Sequence, residues 1–476
     1  MGLSKRLGFL LLNIILVFAA IGPGTADAAA PIRVLLNGRP LAFDVPPVVE
    51  GGRTLVPFRA IGEALGVNVY WDNTRRVVHA ERGGRVVELA IGARTAQVAG
   101  QAVALDAPAV VRQNRTLVPL RFFSQAFGAT VGWNNATRTV TIETGPTPAY
   151  ILGYYFSRSY PDFMANYREL SGMAPKWYTL DENGRLTGQA AQRGISVPEG
   201  YQEPLAVAAQ AGVETYALVF ENTPDKLHQV LSDPVRGNQL IADITALLAQ
   251  EGFSGVNIDF ELVREEDGPA LTAFIQRLGT AVHAQGRKLA LSLPARTENG
   301  WHRAYDYAAL GRAADQVAIM AYDKSPGAAG PQTPLPWVRE VVDYTLKRIP
   351  ARKVLLGLGL YGYDWSPAGR RTILFAHNGL DAYVAYLDDI LARYRPQVQW
   401  DETAALPHFT YTDEQGQAHT VWYENKASLE AKLDLVREKG LAGVAVWRLG
   451  YTTPEFYQLL RSYWTPVKPR APQGAR

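Results

Sequence analysis

Residues 254–263 read SGVNIDFELV. Gly255, Asn257, Asp259 and Glu261 alternate with Val256, Ile258, Phe260 and Leu262. A period of two marks a β-strand with one apolar face and one face that carries two carboxylates. Burying both carboxylates side by side is costly unless one of them holds a proton. Raising the pKa of one of the two supplies the neutral acid that general acid catalysis near neutral pH requires. The competing arrangement is a buried ion pair, for which Arg264 is the nearest cation along the chain.

Positioning such a strand is the task of the segment from Tyr150 to about Trp464, where short β-rich runs alternate with amphipathic helical patterns. The candidate strands are 149–156, 176–180, 214–220, 255–260, 288–294, 316–322, 353–362 and 443–449. Between them lie helical stretches such as NQLIADITALLAQEG and GPALTAFIQRLGTAVHAQG, each closed by a glycine. Strand–helix alternation with this many strands predicts an α/β fold, a (β/α)8 TIM barrel. A doubly wound open sheet is the alternative, and its first turn would be glycine-rich, which YYFSRSY is not. In a barrel, Val256, Ile258, Phe260 and Leu262 face the helices. Asn257, Asp259 and Glu261 point inward at the strand's C-terminal end, where barrel enzymes keep their chemistry.

SGVNIDFE resembles the DGxDxDxE signature of family 18 glycoside hydrolases. AIMAYD (318–323), GLGLYGYDW (357–365) and GVAVWRLG (443–450) resemble, in order, that family's sixth, seventh and eighth strand segments. GVNIDFE, YGYDW and the 409–450 stretch are similar to its spore-cortex peptidoglycan N-acetylglucosaminidase branch. The resemblance implies a substrate-assisted, configuration-retaining mechanism without metal or organic cofactor. In it Glu261 protonates the leaving sugar oxygen, and the substrate's own acetamide oxygen attacks the anomeric carbon. Asp259 orients the acetamide N–H, and Tyr322 donates to the acetamide carbonyl. Asp323 holds the sugar or supports Tyr322, and Trp447 forms the floor beneath the ring. Asn257, Tyr361, Met320 and Tyr154 are the further substrate-binding candidates. Trp177, Trp365 and Trp422 are additional cleft aromatics, and Asn222 and Glu424 are weaker contacts. The chain departs from the signature at Ser254 and Asn257, and KSPGAAGPQTPLPW (324–337) lacks the His-aromatic pair expected after the Tyr-Asp motif.

Ahead of the barrel stands a repeat. GRTLVPFRAIGEALGVNVYWDNTRRVV from Gly52 aligns without gaps with NRTLVPLRFFSQAFGATVGWNNATRTV from Asn114, an offset of 62 residues. Each unit reads as strand, short helix (58–65 and 122–127) and hairpin, with Gly66 and Gly128 at helix ends, so residues 31–144 form a small α+β repeat domain. It resembles the copper amine oxidase N-terminal-like stalk domain, although His79 is its one histidine, so no copper site is expected. Trp71 and Trp133 fall at equivalent places, as packed core or as a sugar platform.

Residues 1–28 carry Lys5 and Arg6, an apolar run from Leu7 to Ile21 and Ala26-Asp27-Ala28, the pattern of a signal peptide. That run is shorter than the ~20 residues a membrane span needs, so no span is expected once the signal is cleaved. Residues 145–149 read as a linker and 465–476 as a disordered tail. A net charge of +3 does not argue for nucleic acid. The absence of cysteine removes disulfides and thiolate metal sites, and the seven histidines form no HxH or HxxxH pair. The expected partner is therefore peptidoglycan or a chitin-like N-acetylglucosamine polymer, met in the cell wall or spore envelope. The alternatives are a chitinase acting on other glycans and a non-catalytic wall-binding protein.

Overall fold

The computed structural model describes residues 31–468, apart from 83, 157, 191–193, 326 and 376–383. The signal-type segment and the tail from 469 onward lie outside the described residues.

In the front domain the two repeats meet through their TLVP strands. Arg53–Pro57 pairs antiparallel with Arg115–Pro119, and Val56 faces Val118. The pseudo-twofold that results places Arg53 on Asp106 at 2.5 Å and Arg115 on Asp44 at 2.6 Å, each arginine reaching into the other unit. Helices Phe58–Ala64 and Leu120–Ala126 follow directly, and Gly66 and Gly128 end them at φ +65° and +85°, a region closed to most side chains. Ile61, Val118 and Phe123 share one core. The symmetry ends at the tryptophans: Trp71 packs half-buried against that core, whereas Trp133 is 41% exposed.

Eight parallel strands close a barrel: Thr147–Tyr155, Gly172–Pro175, Glu214–Glu221, Gly255–Phe260, Lys288–Pro294, Gln316–Met320, Val354–Gly359 and Gly443–Trp447, hereafter strands one to eight. Each pairs with the next, and strand one pairs with both strand two and strand eight. Helices Pro234–Glu251 and Gly268–Ala284 flank strand four. The first is started by the Asp233 carboxylate on the Val235 and Arg236 amides, with Pro234 at its first turn, and is ended by Gly252 at φ +73°.

Strand parity divides the barrel into two cores. Val256, Ile258 and Phe260 pack outward with Phe274 and Leu278, while Tyr154, Tyr216, Leu218, Ala290, Ala318, Leu355 and Ala445 fill the interior. Three sequence expectations are corrected here. Strand two is Gly172–Pro175, not 176–180, and Thr179–Leu180 belongs to a separate two-stranded hairpin. Leu262 does not face the helices; it lies past the strand end at φ +57° and is 53% exposed. Strand one already begins at Thr147, inside the segment read as a linker, and Trp464–Pro466 pairs beside it, so the chain is still ordered where the tail was expected. Between strands seven and eight a short strand, Val384–Tyr386, leads into helix Leu387–Tyr394. That helix belongs to an insertion between strands seven and eight, built on a six-stranded sheet with the Leu406–Thr412/Ala418–Trp422 hairpin.

Candidate active site

Asp259 and Glu261 stand at the C-terminal end of strand four. The sheet extends one residue past the strand, because the Glu261 amide donates to the Glu221 carbonyl at 2.8 Å. Tyr305 staples the turn that follows: its hydroxyl donates to the Phe260 carbonyl at 2.8 Å and accepts from the Val263 amide at 3.3 Å. These bonds fix the backbone on both sides of Glu261, and its side chain is left half-buried.

Asp259 is 3% exposed, and one of its oxygens, Oδ1, has no hydrogen-bond partner among the described residues. The same holds for the amide nitrogen of the fully buried Asn257. The other end of that amide is satisfied, since Ser292 Oγ donates to Asn257 Oδ1 at 2.9 Å and lies 2.6 Å from the Tyr154 hydroxyl. Burial, and then the charge of Glu261, push the Asp259 carboxyl up to about 8. Burial also raises Glu261, against the opposing pull of Lys176. The pair therefore retains a proton at neutral pH. In the unliganded site that proton belongs to the pair and not to Glu261 alone. Asp259 is the more deeply buried group and has no donor on Oδ1, so the ionised form is disfavoured there as well.

Tyr322 follows strand six on the inward parity. Its phenol is pushed well above the ordinary range by burial and by the nearby Tyr154, Asp259 and Glu261, so it remains a proton donor. Strand seven makes room for it. A Cβ on Gly357 would come within 3.1 Å of the Tyr322 ring, and one on Gly359 within 2.8 Å of the Tyr361 ring. Asp323, at φ +58°, accepts on Oδ1 from Tyr361 at 2.8 Å and from Tyr363 at 2.6 Å, and its charge reaches Tyr322 and Glu261. Tyr361, 4% exposed and engaged in that bond, acts as a buttress rather than an open cleft wall. Trp447 ends strand eight on the inward side, half-buried, 5.7 Å from Tyr154 and 6.4 Å from Phe156 between ring centroids. Met320 is half-buried at the end of strand six.

Trp177 is 2% exposed in the outer core against Tyr155 and Tyr201. Trp422 stacks on His408 at 4.3 Å, and Trp365 packs on Tyr363. Glu424 is buried on Lys432 at 2.9 Å and also accepts from Thr333, which ties the 324–337 segment down. Asn222 is exposed, and its backbone amide donates to the Glu221 carboxylate. Arg264 pairs with Asp225 at the surface, so the alternative of an ion pair with Asp259 or Glu261 is not formed.

Two residues escaped the sequence reading. Tyr305 is one. The other is Lys176, just past strand two, whose ammonium sits 3.3 Å from the centre of the Phe220 ring and 5.0 Å from that of Trp447. In the sequence Lys176 was legible only as the first residue of a candidate strand and Tyr305 only as an aromatic just ahead of a helix.

Residues 220–451 match the model described as glycosyl hydrolases family 18, and residues 35–142 match that of the copper amine oxidase N-terminal domain. The barrel belongs to glycosyl hydrolase family 18. The family 18 match begins late in strand three, and the structure completes the ring with strands one and two. The cortical fragment-lytic enzyme of Bacillus subtilis is 31% identical over 51% of this chain, which spans 58% of that relative's length. A chitinase from Chromobacterium violaceum superposes with a TM-score of 0.59 at 28% identity, covering 66% of this chain and 98% of the chitinase. The spore cortex-lytic enzyme SleL of Bacillus cereus shares the fold, with a TM-score of 0.60 at 23% identity over 68% of this chain and 76% of its own. None of the described helices is long and apolar enough to cross a membrane.

Proposed function

We propose that the chain is an exported, retaining glycoside hydrolase that cleaves N-acetylglucosamine linkages in peptidoglycan by substrate-assisted catalysis. One observation carries this reading: a proton-sharing carboxylate pair at the open end of a family 18 barrel, with Asp259 Oδ1 and the Asn257 amide nitrogen lacking partners among the described residues, Tyr322 available as a donor and Trp447 beside them. An N-acetylglucosamine seated on Trp447 brings an acetamide N–H to Asp259. That donor favours the ionised form of Asp259 and transfers the shared proton to Glu261. Glu261 then protonates the departing oxygen while the acetamide oxygen closes on the anomeric carbon, with its carbonyl polarised by Tyr322. Water opens the cyclic intermediate with Glu261 as base, and configuration is retained.

Similarity to the cortical fragment-lytic enzyme supports peptidoglycan as the polymer, and the N-terminal Lys5–Ala28 pattern supports export. A chitinase-like activity on other glycans is the second reading, favoured by the near-complete coverage of the Chromobacterium chitinase. Mass spectrometry of products from purified peptidoglycan and from chitin oligomers, with NMR of the first anomer released, tests both. Peptidoglycan fragments ending in reducing N-acetylglucosamine, released first as the β anomer, are expected. Release from chitin alone would select the second reading. No release above that of Glu261→Gln from either polymer would leave a binding protein.

A further inference from the structure

The two units of the front domain match where they support each other and differ at one hollow. Gly52, Arg53 and Asp106 combine with Leu120, Arg121 and Trp133 around a cavity of about 270 Å³, near the lower end of small-ligand sites (~300 Å³). The 62-residue offset gives the counterparts: Asn114 for Gly52, Phe58 for Leu120 and Trp71 for Trp133. The wall beside Trp133 thus carries the smaller residue of each of the first two pairs. A Cβ on Gly52 would meet nothing within 4 Å, so the space over it is open. The tryptophans follow that difference. Trp71 packs against the domain core, and its indole N–H donates to Asn73 at 3.4 Å. Trp133 is 41% exposed and has neither a hydrogen bond nor a ring contact among the described residues. An indole left in water contributes little to the fold.

A polar pair stands in the same hollow. Arg53 Nε donates to Asp106 at 2.5 Å, and both side chains are partly open to solvent. A guanidinium and a carboxylate each carry more donors or acceptors than one such bond uses. An aromatic face flanked by donors and acceptors matches a pyranose ring, whose C–H face stacks on the indole while its hydroxyls bridge the ion pair. The barrel joined to this domain belongs to a glycosyl hydrolase family, which favours a sugar over other ligands of that shape. Between residues 31 and 144 thirteen arginines stand against eight acidic residues, so a polymer that bears carboxylates is attracted and not repelled. Strand one leaves the front domain at Thr147, at the end of the barrel opposite Glu261, so the hollow is not an extension of the cleft.

We infer that the Trp133 hollow is a second glycan-binding site, which holds a pyranose ring of the polymer away from the cleft and tethers the barrel to an insoluble substrate. The choice of a glycan as ligand rests on the proposed function of the barrel. The hollow adds retention on the polymer and takes no part in the bond cleavage itself.

The test is binding of the full chain carrying Glu261→Gln to insoluble particles of purified peptidoglycan and of chitin, followed on whichever particle it binds more tightly. Adding Trp133→Ala should weaken binding about tenfold, the loss of one stacking contact, at an unchanged thermal midpoint. Trp133→Tyr should keep most of the affinity and Trp133→Leu should lose it, which separates stacking from apolar bulk. With Glu261 intact, hydrolysis of a soluble N-acetylglucosamine oligomer should be untouched by Trp133→Ala. Binding to neither particle, undiminished binding after Trp133→Ala, or full affinity in Trp133→Leu would overturn the inference. So would a fall in soluble turnover that matches the fall in binding. Binding that depends on Trp133 without any turnover sinks the hydrolase and leaves the site, and turnover with binding indifferent to Trp133 does the reverse.

Discussion

The two ends of the barrel treat a buried carboxylate in opposite ways. At the N-terminal end Glu214 is 6% exposed and fully provided for: Tyr150 and Tyr216 donate to Oε2 at 2.7 and 2.8 Å, and the Lys288 ammonium lies 2.5 Å from Oε1. At the C-terminal end Asp259 is as deeply buried, yet no donor reaches its Oδ1. The same fold can thus satisfy an interior carboxylate, and at the open end it does not. The Glu214 cluster closes the barrel floor, and the Asp259–Glu261 pair keeps a proton and unused hydrogen-bonding capacity at the open end. Glu221, beside the site at the end of strand three, follows the first pattern, with the Asn222 and Thr223 amides and the Thr179 hydroxyl on its oxygens.

The sharpest break in this comparison comes from Glu261→Gln. Removing the proton donor should lower kcat on an N-acetylglucosamine polymer by about 10³-fold or more, with KM and thermal midpoint little changed. A midpoint that falls with the rate would place Glu261 with the structural carboxylates. The converse substitution is Glu214→Ala, which strands Lys288 and two phenols. It should cost about 3–5 kcal/mol in a denaturant titration while the surviving folded enzyme keeps its kcat. If activity fell at constant stability, the two ends would not be separable.

The smallest effect reads the proton itself. The folded pKa of Asp259 is about 8, above its unfolded value, so its favourable contribution is complete below pH ~4 and is lost as pH rises through ~8. Asp259→Asn removes that loss. The variant should melt about 2–5 °C above the parent near pH 9, with the gap closing toward pH 4. A gap of constant size across this range would show that Asp259 is already ionised in the unliganded fold.

Parity explains why so much of this site was legible. The alternation in GVNIDF sends Asn257 and Asp259 inward for any closed sheet that covers the apolar face, and the same rule places Gly357 and Gly359 inside on strand seven. The repeat likewise announced its own symmetry, because two units with one pattern bury their TLVP strands against each other. Leu262 was misread because the period of two was carried past the point where the backbone turns to φ +57°. Glu424 was misread because residue type alone does not distinguish an open cleft from a sealed core.

Local sequence settled which side chains share a face, since that depends only on the two-residue repeat of a strand and the helix signals around it. Closure of the ring decided which faces meet. It brought Asp323 under Tyr361 and Tyr363, carried Lys176 from strand two to the rings of strands three and eight, and left Asp259 without a donor on Oδ1. Those contacts join residues far apart in the chain, and burial and Coulomb energy depend on distance in space, which spacing along the sequence does not encode.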